Sequence, residues 1–246
     1  MNSIDVRTSV IDTRLSKIKR IIAVASGKGG VGKSLVASSL ALNLAYKGKK
    51  VGLLDLDLYG PSSHIILGIK DVFPEEEKGI IPPKIHNIRF LSIVYFTEDK
   101  PSSFRGIDIT NIIIELLAIT QWGSLDFLIV DMPPGIGDET LDVMKYMKRS
   151  EFLIVTTPSK VAMNSVSKLL KILLELKKPI IGVIENMKMI ESPYIESTVT
   201  SMGIPYLGSI AFDQNLEEAI GSGDRLLETH FMQQLEKKGV QHLLNR

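Results

Sequence analysis

The residues most able to do chemistry lie close together near the start of the chain, in Gly27-Lys28-Gly29-Gly30-Val31-Gly32-Lys33-Ser34. This stretch fits the phosphate-binding pattern G-x-x-x-x-G-K-[ST] and carries one extra lysine. Glycines let the backbone approach a ligand closely and adopt positive φ, so successive N–H groups can converge on phosphate oxygens beside the positive end of a helix. Lys33 would reach the β and γ phosphates, and Ser34 would offer its hydroxyl to Mg²⁺.

Carboxylates at two later points could complete such a site. Asp55 and Asp57 follow the apolar run Val51-Gly52-Leu53-Leu54, and they face the same way if the extended conformation continues. One of the pair could position the water that attacks a γ-phosphate, a task of orientation more than of strong base chemistry. Asp131 ends the apolar run Leu125 to Val130 and is followed by Met132-Pro133-Pro134-Gly135. A buried parallel strand that delivers an aspartate to the phosphate end of a sheet suits a carboxylate beside Mg²⁺, and the Gly135 N–H could sense the γ-phosphate.

These residues need a scaffold of strands that end where the ligand sits. Ile21 to Val24 reads as a buried strand, and Ser34 to Lys47 as a helix ended by Gly48. Further strands are expected at residues 51–54, 88–96, 125–130, 152–155, 179–184 and 204–210. Helices are expected at 107–120, 161–176, 214–221 and 225–244. The alternation predicts a doubly wound α/β fold: a predominantly parallel sheet with helices on both faces, forming a single P-loop domain over residues 1–246. Residues 1–19 read as an arm or short helix lying on that domain, with Ile11, Leu15 and Ile18 at helical spacing. Residues 60–101 are the hardest to read, and Phe73, Ile80 and Ile81 suit either a core or an interface.

Composition narrows the function further. Among 246 residues, 29 basic and 28 acidic side chains give no large single-sign field, so bulk charge argues for neither nucleic acid nor an anionic membrane. The chain has no cysteine, which excludes disulfides, thiolate zinc sites and an iron–sulfur cluster ligated by its own thiolates. His64, His86, His230 and His242 lack metal-ligand spacing. The uncharged run Ser34 to Tyr46 is too short to span a bilayer, and the N-terminus lacks the apolar core of a secretory signal. A cytoplasmic protein is expected.

The motifs together carry a resemblance. The glycine-rich stretch is similar to the deviant Walker A motif of the SIMIBI class of P-loop ATPases, which includes MinD and ParA. Asp55 to Ser62, Phe104-Arg105-Gly106, Asp131 to Gly135 and Glu185-Asn186-Met187 resemble the Mrp/ApbC family of iron–sulfur cluster carrier ATPases. The resemblance implies a homodimeric, Mg²⁺-dependent ATPase, slow and stimulated by partners, that works with an iron–sulfur assembly partner or protein client. It implies that Lys28 crosses the dimer interface to the partner's nucleotide, much as an arginine finger does. It implies Asp57 as the residue that positions water, Asp131 as the carboxylate near Mg²⁺ and Asn186 as the reader of adenine. The implied sets are Lys28, Lys33 and Asp57 for catalysis; Gly27 to Ser34, Gly135 and Asn186 for nucleotide; and Ser34, Asp57 and Asp131 for the metal.

The sequence departs from that family at one place. A C-x-x-C pair commonly follows Glu-Asn-Met, and Ser192 and Ile195 occupy those positions here. Neither can replace a thiolate. This leaves a second reading open, a switch of the MinD or ParA kind whose ATP-bound dimer docks on a partner or membrane. The C-terminal stripe of Phe231, Met232, Leu235, Val240, Leu243 and Leu244 suits such docking, and it equally suits a helix packed on its own domain.

Overall fold

The computed structural model describes residues 6–58, 60–97 and 106–245. The motif Phe104-Arg105-Gly106 lies mostly outside them, as does Tyr59. The helices are α1 (Val6–Leu15), α2 (Lys33–Tyr46), α3 (Ser63–Ile66), α4 (Val94–Thr97), α5 (Gly106–Ile119), α6 (Asp138–Tyr146), α7 (Lys160–Glu175), α8 (Tyr194–Ser201), α9 (Gly223–Glu228), α10 (His230–Leu235) and α11 (Gln241–Leu244). The strands are β1 (Ile18–Ser26), β2 (Val51–Asp55), β3 (Glu75–Glu76), β4 (Ile80–Ile81), β5 (Lys84–Ile85), β6 (Ile88–Ser92), β7 (Leu125–Asp131), β8 (Ser150–Thr156), β9 (Ile180–Lys188) and β10 (Tyr206–Ala211).

Eight strands form one sheet in the order β10-β9-β8-β1-β7-β2-β6-β5, and only the β5–β6 pairing is antiparallel. Side chains alternate across each strand, so β1 sends Ile21, Ala23 and Ala25 to one face and Ile22 and Val24 to the other. The first face packs under residues of α1, α5, α6 and α7, and the second under α2 and the C-terminal helices. Both faces are covered, which explains why the strands read as continuous apolar runs. The predicted α/β fold is therefore the observed one. The expected N-terminal helix is present as well, docked through Ile11 and Leu15.

Several element boundaries differ from expectation. β1 begins at Ile18, because Lys19 and Arg20 sit at the strand's solvated entry, where Arg20 makes a paired contact with Glu151 at 2.8 Å. The strand expected to run to Phe96 stops at Ser92 and turns into α4. The helix expected at 214–221 is a single 3-10 turn, Leu216–Ala219. The C-terminal helix expected over 225–244 is broken: Thr229 is extended, caps the next segment by accepting the Met232 N–H at 3.1 Å, and is followed by a π-helical turn at Glu236–Val240. The stripe on those segments is inward. Phe231, Met232, Leu235, Val240 and Leu243 are all buried, in the same cluster as α2. In the hard-to-read region Ile80 is core and Phe73 is 69% exposed.

Candidate functional site

The sheet order builds the site. β7 lies between β1 and β2, so Asp131 at the end of β7 is level with Val24 of β1 and with Asp55 of β2. The glycine-rich loop leaves β1 at Ser26 and enters α2 at Lys33. Lys33, Asp131 and the Asp55–Asp57 segment thus meet at the carboxyl end of three adjacent parallel strands, where ligands of such sheets bind.

Packing holds the loop in shape. Val31 is buried, and its carbonyl accepts a hydrogen bond from Asn186 Nδ2 at 3.0 Å. Gly32 has φ 81°, and a Cβ there would sit 2.3 Å from Asn186 Nδ2, so only glycine fits. A Cβ at Gly27 would lie 2.5 Å from the Val166 backbone nitrogen, which fixes glycine where the loop crosses α7. Ser26 Oγ donates to the Lys28 carbonyl at 2.9 Å. The N–H groups of Gly29, Gly30, Val31 and Gly32 have no acceptor among the described residues, as an anion-binding nest requires.

Lys33 is the hub of the charges. Its ammonium lies 2.5 Å from Asp131 Oδ1, 3.7 Å from Asp57 Oδ2 and 3.4 Å from Ser34 Oγ, and the residue is almost fully buried. Burial pushes the Asp131 carboxyl up, while Lys33 and Ser34 pull it down. Asp57 accepts the Gly60 N–H at 3.1 Å and lines a groove of about 340 Å³ together with Lys28, Gly30, Lys33, Ser34 and Met187. Lys28 has no ion-pair partner among the described residues.

The geometry bears on three of the sequence-based expectations. Asp55 and Asp57 do not face the same way, because β2 ends at Asp55 and the chain turns there. The Asp57 and Ser63 N–H groups each donate to Asp55 at 3.1 Å. Asp55 is fully buried; burial and the nearby Asp131 charge push its carboxyl up to about 7 against those hydrogen bonds, and it organises the loop instead of facing ligand. The Gly135 N–H donates to the Ser26 carbonyl at 3.0 Å, so sensing a γ-phosphate would require that bond to break. Asn186 is buried behind the loop, where its side-chain amide donates to the Val31 carbonyl at 3.0 Å. Sequence reasoning missed Ser63, whose N–H holds Asp55 and whose hydroxyl lies 3.4 Å from Asp131 Oδ2. No motif marks it.

The oxygen donors of Ser34, Asp57 and Asp131 suit a hard cation such as Mg²⁺, which takes one or two carboxylates and fills its shell with water and phosphate. A cluster of iron and sulfide is another matter. Among the described residues no three His, Cys, Asp or Glu side chains are grouped to hold a metal, and the chain has no thiolate. At the two positions that the sequence resemblance matches to a cysteine pair, Ser192 Oγ accepts the Tyr194 N–H at 3.3 Å at the start of α8, and Ile195 is buried in the core. Both positions serve folding.

A parallel sheet with a glycine loop between its first strand and helix, a buried lysine and carboxylates at the strand ends defines a P-loop NTPase of the MinD and ParA type. The chain belongs to the NUBPL iron-transfer P-loop NTPase family, a ParA-type family whose model matches residues 17–245. An iron–sulfur cluster carrier protein of Aquifex aeolicus is 38% identical over 229 residues, covering 87% of this chain and 63% of the relative. One of Methanocaldococcus jannaschii is 37% identical over 230 residues, covering 87% and 79%. A solved structure of a nucleotide-binding protein of Archaeoglobus fulgidus in complex with ADP superposes with a TM-score of 0.75 at 32% identity, covering 90% of this chain and 93% of that one. MinD of Pyrococcus horikoshii shares the fold, with a TM-score of 0.67 at 23% identity. The chain spans 54–65% of the length of four of the curated relatives that it matches.

Proposed function

We propose that this protein is a Mg²⁺-dependent ATPase that works as a homodimer in iron–sulfur cluster delivery and leaves the cluster to be held by a partner. The observation that carries the reading is the buried Lys33 ammonium, shared by Asp131, Asp57 and Ser34 beneath an unpaired row of backbone N–H groups. Phosphate oxygens offer Lys33 a stronger anionic partner than the carboxylates it now contacts, so ATP can enter without creating an uncompensated charge. Ser34, Asp57 and Asp131 would hold Mg²⁺, which would supply neutralisation of phosphate charge.

The chain's own groups do the rest. Loop amides bind the phosphates, Lys33 offsets the charge that develops on the β–γ bridge, and Asp57 orients a water in line with the γ-phosphorus. The new P–O bond forms as the bridging bond breaks; ADP leaves with the bonding electrons and the water's proton passes to phosphate. Lys28, half-exposed at the rim, supports a contact made across a dimer.

Where the client would dock is suggested by Met189 and Ile190, which are 72% and 77% exposed and follow the Glu185-Asn186-Met187 motif after Lys188. The docking alternative loses one of its two supports, because Phe231, Met232, Leu235, Val240 and Leu243 of the C-terminal stripe are core; its other support, the missing cysteine pair, is shared by the reading proposed here. ATP turnover measured against protein concentration, with and without Mg²⁺, tests the proposal. Turnover should rise more than linearly with protein, and Lys28→Ala should keep ATP binding while losing that rise. Turnover linear in protein and identical in Lys28→Ala would overturn the dimer, and no turnover with any candidate partner would overturn the ATPase.

A further inference from the structure

The opposite end of the sheet carries a second concentration of chemistry that the nucleotide site does not use. Lys17 and Lys50 immediately precede β1 and β2, while Lys84 and Arg89 lie on β5 and β6. With Arg14 at the end of α1 they surround two adjoining hollows of about 500 and 350 Å³, which share Arg89. The nine residues of β1 put this region roughly 30 Å from the phosphate loop.

Three observations mark it as a site. First, the side chains of Arg14, Lys17, Lys50, Lys84 and Arg89 have no hydrogen bond or ion pair among the described residues, and all five gather around the same two hollows. Second, two buried N–H donors on the walls, Arg14 Nε and Trp122 Nε1, have no acceptor among the described residues, and Trp122 is only 1% exposed. Buried polar groups without partners are uncommon and call for an explanation. Third, the neighbouring carboxylate cannot neutralise the group. Asp126 already accepts from Lys19 Nζ at 2.7 Å and from the Lys50 backbone N–H at 2.8 Å.

We propose that this amino-end groove, formed by Arg14, Lys17, Lys50, Lys84, Arg89 and Trp122, binds an acidic peptide segment of a partner protein. Charge complementarity sets the sign of the ligand. Extent sets its kind: the cations are strung along two connected hollows instead of converging on one point, so a single inorganic anion would engage only a few of them. Between the cations the walls are mixed, with Asn87, Ser124 and Gln121 beside Val51, Leu125 and Ile81, as suits an extended chain whose acidic residues alternate with apolar ones and whose backbone can hydrogen-bond. Nucleic acid is a poorer fit, since the aromatic ring at the groove is buried and offers no face for stacking. This inference is independent of the nucleotide site.

Trp122 is the only tryptophan in the chain, so its emission reports on the groove directly. The test titrates the full chain with an end-blocked octapeptide pool in which glutamate alternates with random apolar residues. Parallel titrations use inorganic phosphate and a single-stranded oligonucleotide, each at low and high salt. The peptide pool should shift Trp122 emission and bind more tightly than either other probe, and its affinity should fall with salt. Arg89→Glu or Lys84→Glu should weaken it by roughly tenfold or more, with ATP binding unchanged. Lys84 is exposed, so its reversal leaves the core untouched even if Arg89→Glu perturbs folding. Overturning results are no emission change and no calorimetric binding with the peptide pool, affinity undiminished in both variants, or tighter binding of phosphate or oligonucleotide than of peptide.

Discussion

The two ends of the sheet treat positive charge in opposite ways. At the carboxyl end the Lys33 ammonium has Asp131, Asp57 and Ser34 within 3.7 Å, and the residue is 5% exposed. At the amino end Arg14, Lys17, Lys84 and Arg89 stand without partners among the described residues. A buried cation must be compensated within the protein, because leaving an ion unpaired in a dry interior is far more costly than leaving it at a wet rim. The compensated end can therefore exchange one anion for another, carboxylate for phosphate. The uncompensated end gains only from an anion brought by another molecule.

Four substitutions would break or sharpen that contrast. The largest effect is expected from Lys33→Ala, which removes the exchangeable partner and should weaken ATP binding at least about a hundredfold, roughly 3 kcal/mol, by equilibrium titration. Asp57→Asn should lower kcat on the order of a hundredfold while leaving ATP affinity nearly intact, as single-turnover and binding measurements would show; an unchanged kcat would remove Asp57 from the reaction. Gly52→Ala probes the structure between the two ends. A Cβ there would lie 2.8–2.9 Å from Leu125, Leu128 and Trp122, so thermal unfolding should show a loss of about 1–3 kcal/mol, and a stability equal to wild type would mean that the wall of the amino-end groove yields easily. Lys84→Glu should be the mildest, within about 0.5 kcal/mol in stability by denaturant titration and without effect on ATP turnover. A drop in turnover would show that the two ends are coupled.

Much of the carboxyl-end site was legible because its residues are local in sequence. The strand, glycine turn and helix around Lys33 are contiguous, and Asp131 could be placed at a strand end because the apolar run before it is unbroken. The misreadings have physical causes. Extending the alternation from Asp55 to Asp57 failed because Asp55 is itself the acceptor that turns the chain. A continuous helix over 225–244 failed because Thr229 prefers to cap with its hydroxyl, and apolar periodicity does not register a one-residue break. The contact of Asn186 with Val31, 155 positions away in the chain, could not be read from its motif, because it depends on how β9 packs against the loop.

By itself, the sequence determined the alternation of strand and helix, the phosphate loop with its two lysines, and the impossibility of a cluster held on the chain's own cysteines. These follow from local periodicity, from glycine geometry and from the plain absence of a thiol. Only the tertiary structure decided which strands are neighbours. Doubly buried parallel strands are apolar runs that look alike, so nothing in Leu125 to Val130 tells that β7 inserts between β1 and β2. That insertion brings Asp131 to Lys33 at one end of the sheet, and at the other it lines up the residues that enter three adjacent strands, leaving their cations side by side and unpaired.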